Sequence, residues 1–169
     1  PKPKVGKRQV LVATIRTLVS QGTEKMAVDF GSSNVISKAL NQPERVRQVV
    51  DKAISSGIGD TFKAVRDKLD VPVELGYCNF GTVVEAGNES GFEVGDLVVS
   101  NGPHADIVRV SRTFCCKLPA NFRNYKDAPL AVITAIALQA IRNTKIQIGE
   151  SVAVIGTGLI GLVALQVLR

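Results

Sequence analysis

Apolar and polar residues follow two different periods along the chain, and the changes of period divide it into segments. Residues 9–16 alternate loosely between apolar and polar side chains, as in a strand with one covered face. Further short apolar runs, separated by Gly, Asn and Pro, occupy residues 81–87, 95–100, 105–110 and 114–119. Short strands at such close intervals predict a small β-barrel or sandwich.

Between the first strand and the later ones, residues 33–70 have the period of helices. Pro43 can open a helix at its first position, and an apolar stripe follows it at Val46, Val49, Val50, Ala53 and Ile54. A second amphipathic helix follows the Gly-containing turn at residues 55–59. These helices form a predicted helical insertion whose apolar stripes can cover the core, act as a lid or contact a partner chain.

The last part of the chain changes from strands to helix, strand and helix. Residues 127–142 are apolar nearly all round and predict a buried linking helix. Residues 152–155 predict a buried strand, and residues 159–168 predict a helix. A β domain of residues 1–126 therefore precedes the start of an α/β domain, residues 127–169, which holds one βα unit and is incomplete.

The turn between that strand and the last helix has the spacing G-x-G-x-x-G. Gly156 permits a tight turn, Gly158 lets a pyrophosphate approach the backbone, and Gly161 lets the helix pack closely. The N–H groups at the start of the helix then face the phosphates. We therefore assign dinucleotide binding to Gly156, Thr157, Gly158, Leu159, Ile160 and Gly161.

A transmembrane helix is the alternative interpretation of residues 151–168, which approach the length of about 20 apolar residues that spans a bilayer. Three glycines crowd its first half and Gln166 lies inside it. The strand-turn-helix interpretation accounts for each of those glycines. We therefore expect no membrane partner.

Composition narrows the classes of partner and compartment. The net charge is +6, but only the first residues lack acids, and aromatic residues make up 5% with no Trp. Nucleic-acid binding is therefore not expected, and a mild surface excess of basic residues, to which a phosphate-bearing ligand can contribute, explains the charge better. Three cysteines without a signal peptide indicate a reduced, cytoplasmic location. With no CxxC pair, a structural zinc lobe is excluded.

The order of several segments resembles the medium-chain dehydrogenase/reductase superfamily, which includes zinc alcohol dehydrogenases and quinone reductases. The resemblance is carried by residues 9–12, 76–87, 95–98, 128–131 and 156–161, and it covers almost the whole chain. It implies a GroES-like barrel domain with a helical insertion, followed by a truncated Rossmann domain. It also implies NAD or NADP in the cleft between the domains and a small-molecule substrate, with a homo-oligomer left open.

A closer resemblance is to the bi-domain oxidoreductases of bacterial polysaccharide biosynthesis clusters. Residues 18–24, 75–79 and 100–105 are similar to theirs, as is the helical insertion. This resemblance implies a longer parent chain and sugar-linked substrates.

The chain departs from the zinc pattern of the superfamily at each ligand position. Gln21 replaces a ligating Cys, Tyr77 and Cys78 replace a His-Glu step, and Leu130 lies near the third ligand position. Catalytic zinc needs three protein ligands, and only Cys78 and Glu24 could contribute. We therefore predict that no catalytic zinc is bound.

Without a metal, hydrogen-bond donors must polarise the substrate, and the resemblance implies Tyr77 and Thr23 as those donors. Glu24 and Cys78 complete the catalytic candidates. Three of the four have a structural alternative: Tyr77 as a packing residue, Thr23 as a turn cap and Cys78 as a buried spectator. Two further residues each have two interpretations: His104 is a proton donor or a turn residue, and Thr134 is a nicotinamide contact or a helix Thr bonded to its own turn.

The sequence thus predicts a zinc-independent NAD(P)-dependent oxidoreductase that transfers hydride to or from a carbonyl, alcohol or activated alkene. The acid that selects NAD over NADP would fall about 20 residues past the Gly-rich turn. We therefore expect residues 1–169 to be inactive alone. The alternatives are a catalytically degenerate nucleotide-binding or docking module, and a scaffold whose helices 33–70 form the interface.

Overall fold

The computed structural model describes residues 3–32 and 74–169. By their contacts, the residues divide into a first unit, Pro1–Ser20 with Leu75–Arg169, and a second unit, Gln21–Glu74. The first unit contains a sheet and two helices. The second contributes helix α1, Gln21–Ser32, and the predicted helices of residues 33–70 lie outside the described residues.

The first unit is built on a five-stranded antiparallel sheet that curls into a half-barrel. Its strand order is β4-β1-β2-β3-β5. The strands are β1 (Gln9–Thr17), β2 (Asn79–Ala86), β3 (Leu97–Ser100), β4 (Ile107–Ser111) and β5 (Cys115–Lys117). The strands predicted within residues 9–119 are therefore confirmed, and β1 lies inside the sheet between β2 and β4.

Both faces of the sheet carry apolar side chains, because successive residues of a strand point to opposite faces. The first cluster consists of Val10, Val12, Val83, Val98, Val108 and Val110. The second cluster consists of Phe80, Val99 and Ala128, with Leu97, Leu118 and Phe122 packed against it. Val98 and its neighbour Val99 thus belong to different clusters, so β3 is buried on both sides.

The connection between β2 and β3 ends in a turn at residues 93–96, to which one carboxylate contributes. The Glu93 N–H donates to Asp96 Oδ2 over 3.0 Å, and Lys117 Nζ of β5 lies 2.5 Å from Asp96 Oδ1. The backbone hydrogen bond from Glu93 and then the contact with Lys117 lower the pKa of Asp96 below its ordinary value. One side chain therefore links the turn to strand β5.

Helix α2, Leu130–Thr144, corresponds to the predicted linking helix. Of this helix, which was predicted to be buried, the structure buries Ile133 and Ala137, whereas Ile136 is 44% exposed. Ile133 and Ala137 are four residues apart and so share one face. The helix is covered along that face only, in the part of the chain that the structure describes.

Two further segments differ from the prediction. Residues 152–155 are not a strand, since none of the described strands pairs with them, and Val152 and Ile155 are 42% and 100% exposed. Helix α1 was not predicted, although Ser20 before it and Glu24 in its first turn are typical of a helix start.

Helix α3, Leu159–Leu168, begins where the pattern predicts a helix. Like the other helices that the structure describes, it is too short or too polar to cross a bilayer.

Candidate functional site

The Gly-rich turn before α3 has the backbone conformation that its glycines were predicted to permit. Gly156 has a φ of 97°, a left-handed conformation that disfavours residues with a Cβ. A Cβ built on Gly161 would overlap the carbonyl oxygen of Gly156. The turn and the first turn of α3 therefore approach each other so closely that only glycine fits at position 161.

The same turn leaves its backbone open to a ligand. Gly156, Thr157 and Gly158 are exposed, and a Cβ at Gly158 would meet nothing within 4 Å. The first helical hydrogen bond of α3 runs from Leu162 N to Gly158 O over 2.9 Å. Gly158 is therefore not required by packing within the described residues, and its free surface is available for an anion.

Thr134 on α2, which the resemblance implies as a contact of the nicotinamide, has a local structural role. The Thr134 hydroxyl donates to the Leu130 carbonyl over 2.9 Å, and both residues are half-buried. This is the contact that a helix Thr makes with its own turn, which is the structural alternative for Thr134. The hydroxyl oxygen can still accept a hydrogen bond, so contact with a nicotinamide stays a prediction.

Tyr77 and Cys78 lie in the segment that leads into β2. The Leu18 N–H donates to the Cys78 carbonyl over 3.0 Å, which fixes this segment against the end of β1. Cys78 is completely buried and Tyr77 is half-buried. Tyr77 is thus the more accessible of the two, while the buried thiol matches the spectator alternative.

His104 packs directly beside this segment. The backbone N–H of His104 donates to the Leu75 carbonyl over 2.8 Å. Gly76 has a φ of 90°, and a Cβ there would lie 2.6 Å from the imidazole ring of His104. The structure therefore brings the chain's one imidazole against the residue that precedes Tyr77, a neighbourhood that spacing in the sequence did not indicate.

Thr23 and Glu24 lie in the first turn of α1, in the second unit. Thr23 is exposed and Glu24 is half-buried. Because they belong to a different unit from Tyr77, their position relative to it stays a prediction.

A buried polar group that the sequence did not point to lies at the start of β2. Asn79 is fully buried, and its Nδ2 donates to Thr14 Oγ1 over 2.7 Å. The Thr14 hydroxyl in turn donates to the Ala105 carbonyl over 2.5 Å. Asn79 Oδ1 has no hydrogen-bond partner among the described residues. This chain of bonds holds the loop before β4 against β1.

The described cysteines and acids provide little reactive or metal-binding chemistry. Burial, followed by the nearby Cys116, raises the pKa of the Cys115 thiol to about 12. That thiol is therefore protonated at neutral pH and is a poor nucleophile. Within residues 3–32 and 74–169, no group of three His, Cys, Asp or Glu residues is placed to hold a metal ion.

A pocket of about 220 Å³ lies in the first unit, between the end of β1 and the start of α2. It is lined by Arg16, Thr17, Leu18, Lys126, Asp127, Pro129 and Leu130. Sequence reasoning missed it because its two walls are far apart in the chain and neither carries a motif.

Sequence comparison finds dehydrogenases, although no family model matches the chain. The (R,R)-butanediol dehydrogenase of Bacillus subtilis is 29% identical over 58% of this chain and 36% of its own length. The D-guloside 3-dehydrogenase of Escherichia coli is 28% identical over 57% of this chain and 28% of its own length. The chain thus spans about a third of the curated relatives that it matches.

Comparison of the fold with solved structures also finds dehydrogenases. The galactitol-1-phosphate dehydrogenase of Escherichia coli superposes with a TM-score of 0.66 and 16% identity, covering 99% of this chain and 46% of that one. Both sequence relatives and this structural neighbour are dehydrogenases by name. The predicted resemblance of this chain to the medium-chain dehydrogenase/reductase superfamily is therefore confirmed.

Proposed function

We propose that the chain forms the catalytic domain and the phosphate-binding turn of an NAD(P)-dependent oxidoreductase of medium-chain type. The geometry of the Gly-rich turn carries the proposal, because a left-handed Gly156 and an unobstructed Gly158 leave room for a pyrophosphate against the backbone. The fold and the dehydrogenases among the relatives support it. In this proposal residues 127–169 begin a Rossmann domain that further βα units complete.

The bound nicotinamide would accept or supply the hydride. The chain's own residues would bind its phosphates at Gly156–Gly161, orient the substrate and move one proton. Oxidation of an alcohol requires a base for the hydroxyl proton, and reduction of a carbonyl or activated alkene requires a donor. We assign that proton to the Tyr77 hydroxyl, and keep Thr23, Glu24 and Cys78 as the further catalytic candidates.

Sugar-linked substrates are part of the proposal. The D-guloside and galactitol-1-phosphate dehydrogenases act on hydroxylated carbon chains by their names. The resemblance to polysaccharide-cluster oxidoreductases points the same way, and a cytoplasmic location fits such a role.

The binding turn is tested by Gly158→Val in the protein at its natural full length. We expect NADH affinity, followed by the fluorescence of the reduced nicotinamide, to fall by at least about tenfold, because the new methyl groups occupy the phosphate's position. The thermal midpoint should stay near that of the unchanged protein, since a Cβ at Gly158 meets nothing within 4 Å.

Ala153→Val is the matched control, since it adds two methyl groups at an exposed position of the same segment. It should leave NADH affinity unchanged. Equal affinity in Gly158→Val and the unchanged protein would remove the turn from the cofactor site and with it the main support for the proposal.

We also propose that this oxidoreductase works without catalytic zinc, unlike the zinc alcohol dehydrogenases of the superfamily. The residues at the ligand positions are Gln21, Tyr77 and Leu130, and an amide, a phenol and an alkyl group form a poor zinc site. Elemental analysis of protein purified without chelator should find well below one zinc per chain. A zinc-type relative prepared in parallel is the positive control, and one zinc per chain in both would overturn the proposal.

A second candidate is a nucleotide-binding or docking module that has lost catalysis. The same replaced ligand positions favour it. It would bind NADH in the fluorescence titration, lose that binding in Gly158→Val, and show no turnover with alcohols, sugars or quinones.

A further inference from the structure

We propose that the pocket at the end of β1 binds an anionic group, phosphate or carboxylate, carried by the substrate, with Arg16 and Lys126 as its ligands. The link to a substrate rests on the proposed function. The anion site itself rests on the pocket and its charges, which can be measured without any cofactor.

The size of the pocket fits a small group better than a whole cofactor. Its volume is about 220 Å³, below the range of about 300–1,000 Å³ that is usual for sites enclosing whole ligands. Buried Pro129 and half-buried Leu18 and Leu130 form its apolar part. A compact anion attached to a short carbon chain can place its charge at the basic side chains and its carbons against this part.

The charges at the pocket favour an anion. Arg16 and Lys126 are both exposed, and neither takes part in an ion pair within the described residues. Asp127 is the one acid of the lining, and it accepts a hydrogen bond from Asn124 Nδ2. The lining therefore carries two cations and one carboxylate that already has a donor. Guanidinium and ammonium groups in this arrangement bind phosphate or carboxylate by charge-assisted hydrogen bonds.

The two basic residues are brought together by packing on the second cluster. Arg16 is the cross-strand partner of Phe80 in the β1–β2 pair, so their side chains share one face of the sheet. Tyr125 stacks on Phe80 with ring centroids 5.6 Å apart and planes 10° apart. Lys126 follows Tyr125 directly. The stacked rings thus hold the segment that contains Lys126 against the sheet, and Lys126 and Arg16 line the same pocket.

Side chains, and not the start of α2, supply the donors. The N–H groups of Leu130 and Ala131 already donate to the carbonyls of Asp127 and Ala128, over 2.9 and 3.1 Å. The anion therefore depends on the two basic side chains, which makes the site testable by substitution.

The test is a titration of the protein with sorbitol 6-phosphate, gluconate and sorbitol, followed by calorimetry. We expect one or both anions to bind and sorbitol to bind at least about fivefold more weakly. Arg16→Gln and Lys126→Gln should each weaken anion binding by about fivefold, the upper range for one exposed charge contact. Arg16→Lys, which keeps the charge, should recover part of the loss.

Arg142→Gln is the matched control, because it removes the same charge from the other end of α2, about 18 Å away along the helix. Anion binding should be unchanged in that variant. Equal binding of sorbitol and the anions, or equal loss in Arg142→Gln, would overturn the site.

A titration with NADH then tests whether the bound anion belongs to the substrate or to the cofactor. NADH affinity should be the same in Arg16→Gln, Lys126→Gln and the unchanged protein. A loss of NADH affinity that matches the loss of anion affinity would place a cofactor phosphate in the pocket and overturn the assignment to substrate. Because the anion titration needs no NADH, it can succeed where the Gly158→Val test fails, and the reverse.

Discussion

Replacing Phe80 with alanine is expected to lower the free energy of unfolding by about 3–5 kcal/mol, the usual cost of emptying a buried aromatic site. Phe80 is 1% exposed. It contacts the second cluster from the middle of the sheet and stacks on Tyr125. The substitution therefore leaves a cavity between the sheet and the segment before α2, and Tyr125 loses its stacking partner.

Urea unfolding followed by far-ultraviolet circular dichroism measures this loss. Phe80→Leu retains much of the buried volume and should cost clearly less than Phe80→Ala. Phe114→Ala removes the same ring at a position that is 60% exposed, so its effect should stay within about 0.5 kcal/mol. Similar losses for Phe80→Ala and Phe114→Ala would contradict the burial of Phe80.

Gly81→Ala should destabilise the sheet, although it adds only one methyl group. Gly81 pairs with Thr14 of β1 between two irregularities of the register, and a Cβ there would overlap the backbone carbonyl oxygen of Ala13. A backbone atom inside a sheet cannot rotate away as a side chain can. We expect a loss of about 1–3 kcal/mol or more, as for other overpacked sites.

Gly158→Ala is the control for Gly81→Ala, because its new methyl group meets nothing within 4 Å and its φ is −72°. In thermal unfolding, Gly158→Ala should melt near the unchanged protein and Gly81→Ala well below it. Identical midpoints for all three would show that β1 and β2 do not approach each other as described.

The sheet could be predicted from the sequence because its strands are short, apolar and separated by turn residues. The environments of the helices could not. Helix α2, Leu130–Thr144, is apolar on most sides, yet of its residues the structure buries Ile133 and Ala137 alone. A hydrophobic pattern shows which faces can be buried, whereas a neighbouring element decides which are. Residues 152–155 have the composition of a strand, but a strand also needs a paired neighbour.

The sequence predicted only those parts of the candidate site whose residues are close together in the chain. Gly156 and Gly161 act within one turn, so their spacing indicated their conformation. The pocket depends on the pairing of Arg16 with Phe80 and on the stacking of Tyr125 on that ring. These contacts join distant parts of the chain, and a single sequence does not show them. His104 beside Gly76 was missed for the same reason.

The two edge strands of the half-barrel also affect self-association. In the described part of the chain, β4 and β5 each pair on one side only, and such edges can recruit strands from other molecules. Strand β5 has only three residues and ends at Lys117, which is paired with Asp96. Strand β4 carries exposed Arg109. Short length and positive charge at these edges disfavour edge-to-edge aggregation, so the sheet can stay open without becoming a template for fibrils.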